Sequence, residues 1–217
     1  MVQKGLKGIV AAETKISFID GENGILVYRG FPAKQLALQF SFEEAAYFLW
    51  YGQFPNENEL HIFIEALKAN RDLPSYVYDL IQTLPNDMDV MNQLLTAVSA
   101  LGTSEFKWKP NIAQAIRLTS IVPAIIAAIY RKNNGCQYIE PNRNLNHTEN
   151  YLYMLTGQIP SPVHAKALEA YMILTMEHGM NASTFAARVI SSTESDMVSA
   201  VSGAIGAMKG PLHGGAP

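Results

Sequence analysis

Two histidines sit in settings where an imidazole could do chemistry. His178 lies in Glu177-His178-Gly179-Met180-Asn181-Ala182-Ser183-Thr184, where one helical pattern stops and another starts. The start of a helix presents free N–H groups and the positive end of its dipole, so it attracts anions. His178, Asn181 and Ser183 add directional donors, and a small carboxylate is a natural guest. On local pattern alone the plainer reading competes: Asn181 or Ser183 caps the helix and His178 makes a turn contact. His213 is bordered by Gly210-Pro211 before it and Gly214-Gly215 after it. Glycines around one polar side chain allow close approach and dihedrals that other residues avoid. The plainer reading there is a helix stop followed by a tail.

Other candidates are weaker. The chain has no Walker loop, dinucleotide fingerprint, Gly-x-Ser-x-Gly elbow or His-Glu-x-x-His helix. Cys136 is the lone cysteine and has no neighbouring histidine, and the five histidines (61, 147, 164, 178 and 213) show no metal-ligand spacing, so no bound metal is expected. His61 and His164 fall on amphipathic patterns and read as solvent-facing or partly packed. Arg188 and Lys209 could hold anions, although surface roles are commoner. Tyr151, Tyr153, Met154, Tyr171, Met172 and Met176 read as core or interface.

The elements that must position these residues are mostly helical. Only the region up to about Phe31 carries a strand signal. Lys15–Ile19 and Ile25–Tyr28 flank the Gly/Asn-rich stretch Asp20–Gly24, which predicts a small hairpin. Ser41 opens a helix through Tyr51 that stops at Gly52, and Asn56 caps a stretch to Ala69. Asp87 or Asp89 starts a helix ending near Gly102. Pro110-Asn111 precedes a long helix to Tyr130, ended by Asn133-Asn134-Gly135. A polar connection from Glu140 to His147 leads to a helix ending at Gly157. Ser161-Pro162 opens one expected to reach Gly179. A short helix follows around Thr184 to Ile190, and Ser195-Asp196 begin the last one, to about Met208. With no repeat or low-complexity tract, this reads as one all-α domain with a minor β element.

The chain has 217 residues, long enough to bury roughly 70% of its unfolded surface without disulfide or metal staples. Hydrophobic residues make up 48% and charged residues 16%, which excludes a disordered chain. A net charge of −3 argues against a nucleic-acid partner. So few charges on so apolar a chain point to a covered face, most simply a homodimer. The N-terminus lacks the long apolar run of a signal peptide. The segment Ile112–Tyr130 carries a narrow polar stripe, so it reads as a buried helix and not as a membrane span. With one cysteine, a reducing, cytoplasmic setting is expected.

Several segments resemble the citrate synthase family. Near the N-terminus these are Gly8-Ile9-Val10-Ala11-Ala12-Glu13-Thr14-Lys15-Ile16-Ser17, Tyr28-Arg29-Gly30, Ser41-Phe42-Glu43-Glu44-Ala45-Ala46-Tyr47 and Leu49-Trp50-Tyr51-Gly52. Thr96–Gly102 and Asn150–Gly157 follow. The most specific are Glu177–Phe185 and Gly203–Ala216. The likeness runs along the whole chain, which covers a little over half of the family's usual length.

The resemblance implies a multi-helix large domain of the citrate synthase type with a small N-terminal β-hairpin. Residues 1–217 would be the N-terminal part of that dimer-forming domain, ending where the small domain begins. By it His178 binds oxaloacetate, Asn181 lies in the same substrate-contacting segment, Ser183 matches a serine that orients a catalytic histidine, and His213 matches the first of three catalytic residues, the one that hydrogen-bonds the acyl-CoA thioester oxygen. The partners are then oxaloacetate and acetyl-CoA or propionyl-CoA, the CoA thioester being a substrate, with no further cofactor. The family's later histidine and catalytic aspartate have no counterpart, so the chain alone is expected to be inactive. Asn86-Asp87-Met88-Asp89, where His-Pro-Met-Asp is common, and Pro217, where asparagine is common, leave the subfamily open between citrate and 2-methylcitrate synthases. The rival expectation is a non-catalytic helical module for dimerisation or anion binding.

Overall fold

The structure, a computed structural model, describes residues 12–214; Gly8 to Ala11 and Gly215 to Pro217, quoted above for their resemblance, lie outside them. The expected hairpin is present. Strands β1 (Ser17–Asp20) and β2 (Ile25–Tyr28) pair antiparallel with Ser17 opposite Tyr28 and Asp20 opposite Ile25. Asp20 folds the turn: its Oδ1 accepts the N–H groups of Glu22 and Asn23 at 3.1 Å, and its Oδ2 accepts from the Asn23 side chain at 2.7 Å. A third strand, β3 (Phe31–Pro32), unforeseen because it spans two residues, joins the other edge of β2.

Ten helices follow among the described residues: α1 (Ala33–Gln39), α2 (Phe42–Tyr51), α3 (Glu57–Ala69), α4 (Ser75–Thr83), α5 (Val90–Ser99), α6 (Ile112–Asn133), α7 (His147–Thr156), α8 (Pro162–Leu174), α9 (Ala182–Ser191) and α10 (Met197–Met208). The all-α reading with a small β element therefore holds. Ser41, Asn56, Asn111 and Asn146 form complete capping boxes, satisfying two backbone donors apiece. Gly52 and Gly157 end α2 and α7 in the left-handed conformation.

α6 is the axis of the core. Leu118, Ile121, Ile125 and Ile129 pack with Val77 and Ile81 of α4, Ala97 and Val98 of α5, and Val198 and Ile205 of α10. Half of the most apolar window of α6 is buried in protein, as expected of a core helix, although its length and composition would suit a membrane span. A second cluster forms around Tyr28, Leu36, Phe48 and Ile173, joining the sheet to α1, α2 and α8.

Two carboxylates tie helices at their starts. Glu169 Oε1 of α8 accepts the N–H of Phe42 at 3.1 Å, and Glu43 Oε1 of α2 accepts the N–H of His147 at 2.8 Å. Each acid serves a backbone donor that its own helix leaves unpaired.

One expectation needs correcting. The helix opened by Ser161 stops at Leu174, not near Gly179. The hydroxyl of Tyr28 lies 3.0 Å from the carbonyl oxygens of both Ile173 and Leu174, sharing its one proton between the last carbonyls of α8. With those acceptors satisfied from the sheet, the chain is free to turn.

Candidate functional site

That turn carries His178. The N–H of Glu177 donates back to the Tyr28 hydroxyl at 3.3 Å, and Glu177 Oε1 accepts from Ser17 Oγ at 2.9 Å and from the N–H of Gly179 at 2.7 Å. Gly179 has φ +67°, and a Cβ on it would meet Ile19 Cδ1 at 3.2 Å. Only glycine takes that dihedral beside the sheet without strain. The N-terminal sheet thus braces the turn, and His178 projects from it exposed to solvent.

Two residues on, α9 begins. Asn181 is its N-cap, and its Oδ1 accepts the N–H of Thr184 at 2.9 Å. Ser183 Oγ lies 2.8 Å from that same oxygen and 2.9 Å from Nε2 of His213. Ser183 is buried and His213 half-buried.

His213 is carried by the turn after α10. Its N–H donates to Gly210 at 3.0 Å, and the Gly214 N–H reaches back to Met208 O at 3.1 Å. A Cβ on Gly214 would come within 2.2 Å of Met208 O, so the tight return needs a glycine. α10 in turn lies close on α9. A Cβ added at Gly203 would sit 2.2 Å from Ile190 Cδ1, and Ser99 Oγ donates to Ser202 Oγ at 2.9 Å to fix α10 on α5.

The structure therefore joins Asn181, Ser183 and His213 in one hydrogen-bonded chain and puts His178 on the turn that leads into it. The two histidines are connected through the start of α9, not by direct hydrogen bonding of their rings. Asn181 does cap its helix, so the plainer reading of that residue is also correct. The arrangement offers the exposed donors of a helix start beside one imidazole, and a second imidazole oriented by a serine. It can hold a small anion and present a proton donor or acceptor next to it.

The other candidates fall away from this site. Lys209 Nζ lies 3.0 Å from Asn92 Oδ1 and 3.6 Å from Asp89 Oδ1, which anchors the end of α10 to the start of α5. Arg188 and Cys136 are exposed, as are His61 and His164.

Sequence reading missed a buried polar group in the α2–α3–α7 region. His147 is buried, its ring stacked 4.3 Å from that of Phe42 at 6°. Burial, with the Arg71 charge behind it, pushes the His147 pKa down to about 3, so the ring is neutral. Burial raises the Glu43 carboxyl and lowers the Arg71 guanidinium, whose Nη1 donates to Leu145 O at 2.8 Å. Its members come from residues 43, 71 and 147, and no local pattern links them.

An open apolar cavity of about 540 Å³ lies between α6, α7 and α8, lined by Phe42, Leu118, Val122, His147 and Tyr171 among others. Tyr171, expected in core or interface, is 64% exposed at its rim.

Comparison with known proteins agrees with this architecture. The family model described as citrate synthase, C-terminal domain, matches residues 5–217. The citrate synthase of Haloferax volcanii is 43% identical, over 99% of this chain and 59% of that one. The 2-methylcitrate synthase of Mycobacterium tuberculosis is 42% identical, over 99% and 56%. Among solved structures, citrate synthase from Thermotoga maritima superposes with a TM-score of 0.89 at 42% identity, over 99% of this chain and 57% of that one. Citrate synthase from Thermoplasma acidophilum, in a ternary complex with carboxymethyl coenzyme A and oxaloacetate, gives a TM-score of 0.94 at 31% identity, over 99% of this chain and 58% of that one. The chain spans a little under three fifths of the length of these relatives.

Proposed function

The chain belongs to the citrate synthase family, and from that premise we propose that it supplies the first part of a site that condenses an acyl-CoA with oxaloacetate. The observation that carries the reading is the contact between Ser183 Oγ and His213 Nε2, which links the turn after α10 to the helix start beside His178.

The roles follow from the chemistry. A thioester holds its α-proton tightly, and removing it requires a base together with a donor at the oxygen where enolate charge gathers. His213 is that donor. His178, with the first N–H groups of α9, holds oxaloacetate, whose keto carbon takes the new carbon–carbon bond. Water then cleaves the thioester to release CoA and the tricarboxylate. The chemistry is acid–base throughout and calls for no cofactor beyond the thioester substrate. The carboxylate base and a second histidine that the family resemblance implies have no counterpart among these residues. The 217 residues are therefore inactive alone.

Acetyl-CoA and propionyl-CoA both remain substrates of this proposal, because relatives named for each product are equally similar to this chain. A homodimer is the proposed assembly, supported by the open apolar cavity and the exposed Tyr171 at its edge.

The test is a titration of the 217-residue chain with oxaloacetate, followed at the ring protons of His178. A saturable shift, lost in His178→Ala, supports the reading, and a silent His178 overturns it. A thiol-release assay with each acyl-CoA should give no turnover. Turnover above background would show that the base lies within these residues.

A further inference from the structure

We propose that Asn181 is a positioning residue that sets the tautomer of His213 through the single hydroxyl proton of Ser183. The accounting begins at the cap. Asn181 Oδ1 accepts the Thr184 N–H at 2.9 Å, which fixes that atom as the carbonyl oxygen of the amide. Ser183 Oγ stands 2.8 Å from it. Two oxygens come that close only with a proton between them, and an amide oxygen has none to give. Ser183 is therefore the donor. A hydroxyl has one proton, so toward His213 it offers a lone pair. The ring nitrogen facing it at 2.9 Å, Nε2, must then carry hydrogen. In the neutral ring Nδ1 is left bare.

This deepens the function proposed above and rests on it for its consequence. A neutral imidazole protonated on Nε2 can accept at Nδ1 but cannot donate from it. To donate from Nδ1 to a thioester oxygen, the ring must change tautomer. One proton leaves Nε2 for water and one arrives at Nδ1 from water. The Ser183 O–H swings from Asn181 Oδ1 to the freed lone pair of Nε2. Only N–H bonds are exchanged, and the charge is unchanged. Asn181 and His213 thus compete for one proton. The resting site keeps the donor switched off, and an acceptor oxygen arriving at Nδ1 draws the serine proton away from Asn181.

The experiment labels the histidines of the 217-residue chain with nitrogen-15 and reads long-range proton–nitrogen correlations of His213 where its ring is neutral. The wild type should show hydrogen on Nε2. That form also prevails in free histidine, so the variants decide. Asn181→Gly keeps a serviceable cap but removes the competing acceptor, and the hydrogen should move to Nδ1 as the major form. Asn181→Asp caps and accepts, so it should keep hydrogen on Nε2. Asn181→Gly combined with Ser183→Ala has no serine proton to give and should return to Nε2. If the glycine variant unravels α9, Asn181→Ala reads the same exchange. Hydrogen still on Nε2 in the folded glycine or alanine variant, or hydrogen on Nδ1 in the wild type, overturns the assignment. A His178 that ignores oxaloacetate would sink the substrate reading and leave these tautomers untouched, so the two failures are distinguishable.

Discussion

Ser183 Oγ and His213 Nε2 lie 2.9 Å apart although the two residues are 30 positions apart in the chain. The packing of α9 on α10 sets that distance, and the turn closed by Gly214 delivers the ring to it. Removing the hydroxyl isolates its share. Ser183→Ala should lower stability by about 1 kcal/mol, the usual net worth of such a bond. Nuclear relaxation should report a more mobile His213 ring while the α9 amides stay rigid. An equally ordered ring would assign its position to the turn alone.

Glu177 Oε1 accepts from both Ser17 and Gly179, so it couples the sheet to the turn bearing His178. In Glu177→Ala the Gly179 amide should exchange with solvent about tenfold faster, equivalent to about 1.4 kcal/mol of lost local protection. Glu177→Gln keeps an acceptor oxygen and should retain most of that protection. Unchanged exchange in the alanine variant would leave the left-handed glycine as the turn's only restraint.

Gly203 is where α10 touches α9 most closely, against the Cδ1 atom of Ile190. Alanine at 203 should gain up to about 1 kcal/mol of helix propensity and lose about 1–3 kcal/mol to overpacking. A net loss is expected. Ile190→Val deletes the clashing methyl, so Gly203→Ala should stabilise that background instead. A double-mutant cycle in denaturant measures the coupling, and additive changes would refute the contact.

Acid should weaken the fold through His147. Its ring titrates near 6.5 when exposed and about 3 when folded. Between those values the unfolded chain binds a proton that the folded chain refuses. The contribution is therefore complete above pH 6.5 and is lost as pH falls toward 3, at up to about 1.4 kcal/mol per pH unit. Glu43 works the other way, since burial raises its carboxyl and folding favours its protonation. Melting temperatures between about pH 6 and about pH 4.5 should fall less steeply in His147→Gln than in the wild type. Parallel slopes would mean that the imidazole does not titrate with unfolding.

What was legible in the sequence follows the reach of each signal. The eight helices with a side-chain cap were all foreseen, because Ser, Asn or Asp acts within three residues. The two that were missed, α1 and α4, begin after Pro32 and Pro74 with no side-chain cap. The end of α8 was misplaced because its stop signal, the Tyr28 hydroxyl, comes from about 145 positions away. The same limit hid the polar group around His147. His178, Asn181, Ser183 and His213 were singled out by their glycine and cap settings, but the link from Ser183 to His213 needed the packed helices.

The two carboxylates that cap neighbouring helix starts bear on how the molecule comes apart. α8 cannot leave without stripping α2 of a backbone partner, and α2 cannot leave without doing the same to α7. These three segments form one cooperative block, whose innermost amides should open together, on one common timescale, while the sheet edge frays independently.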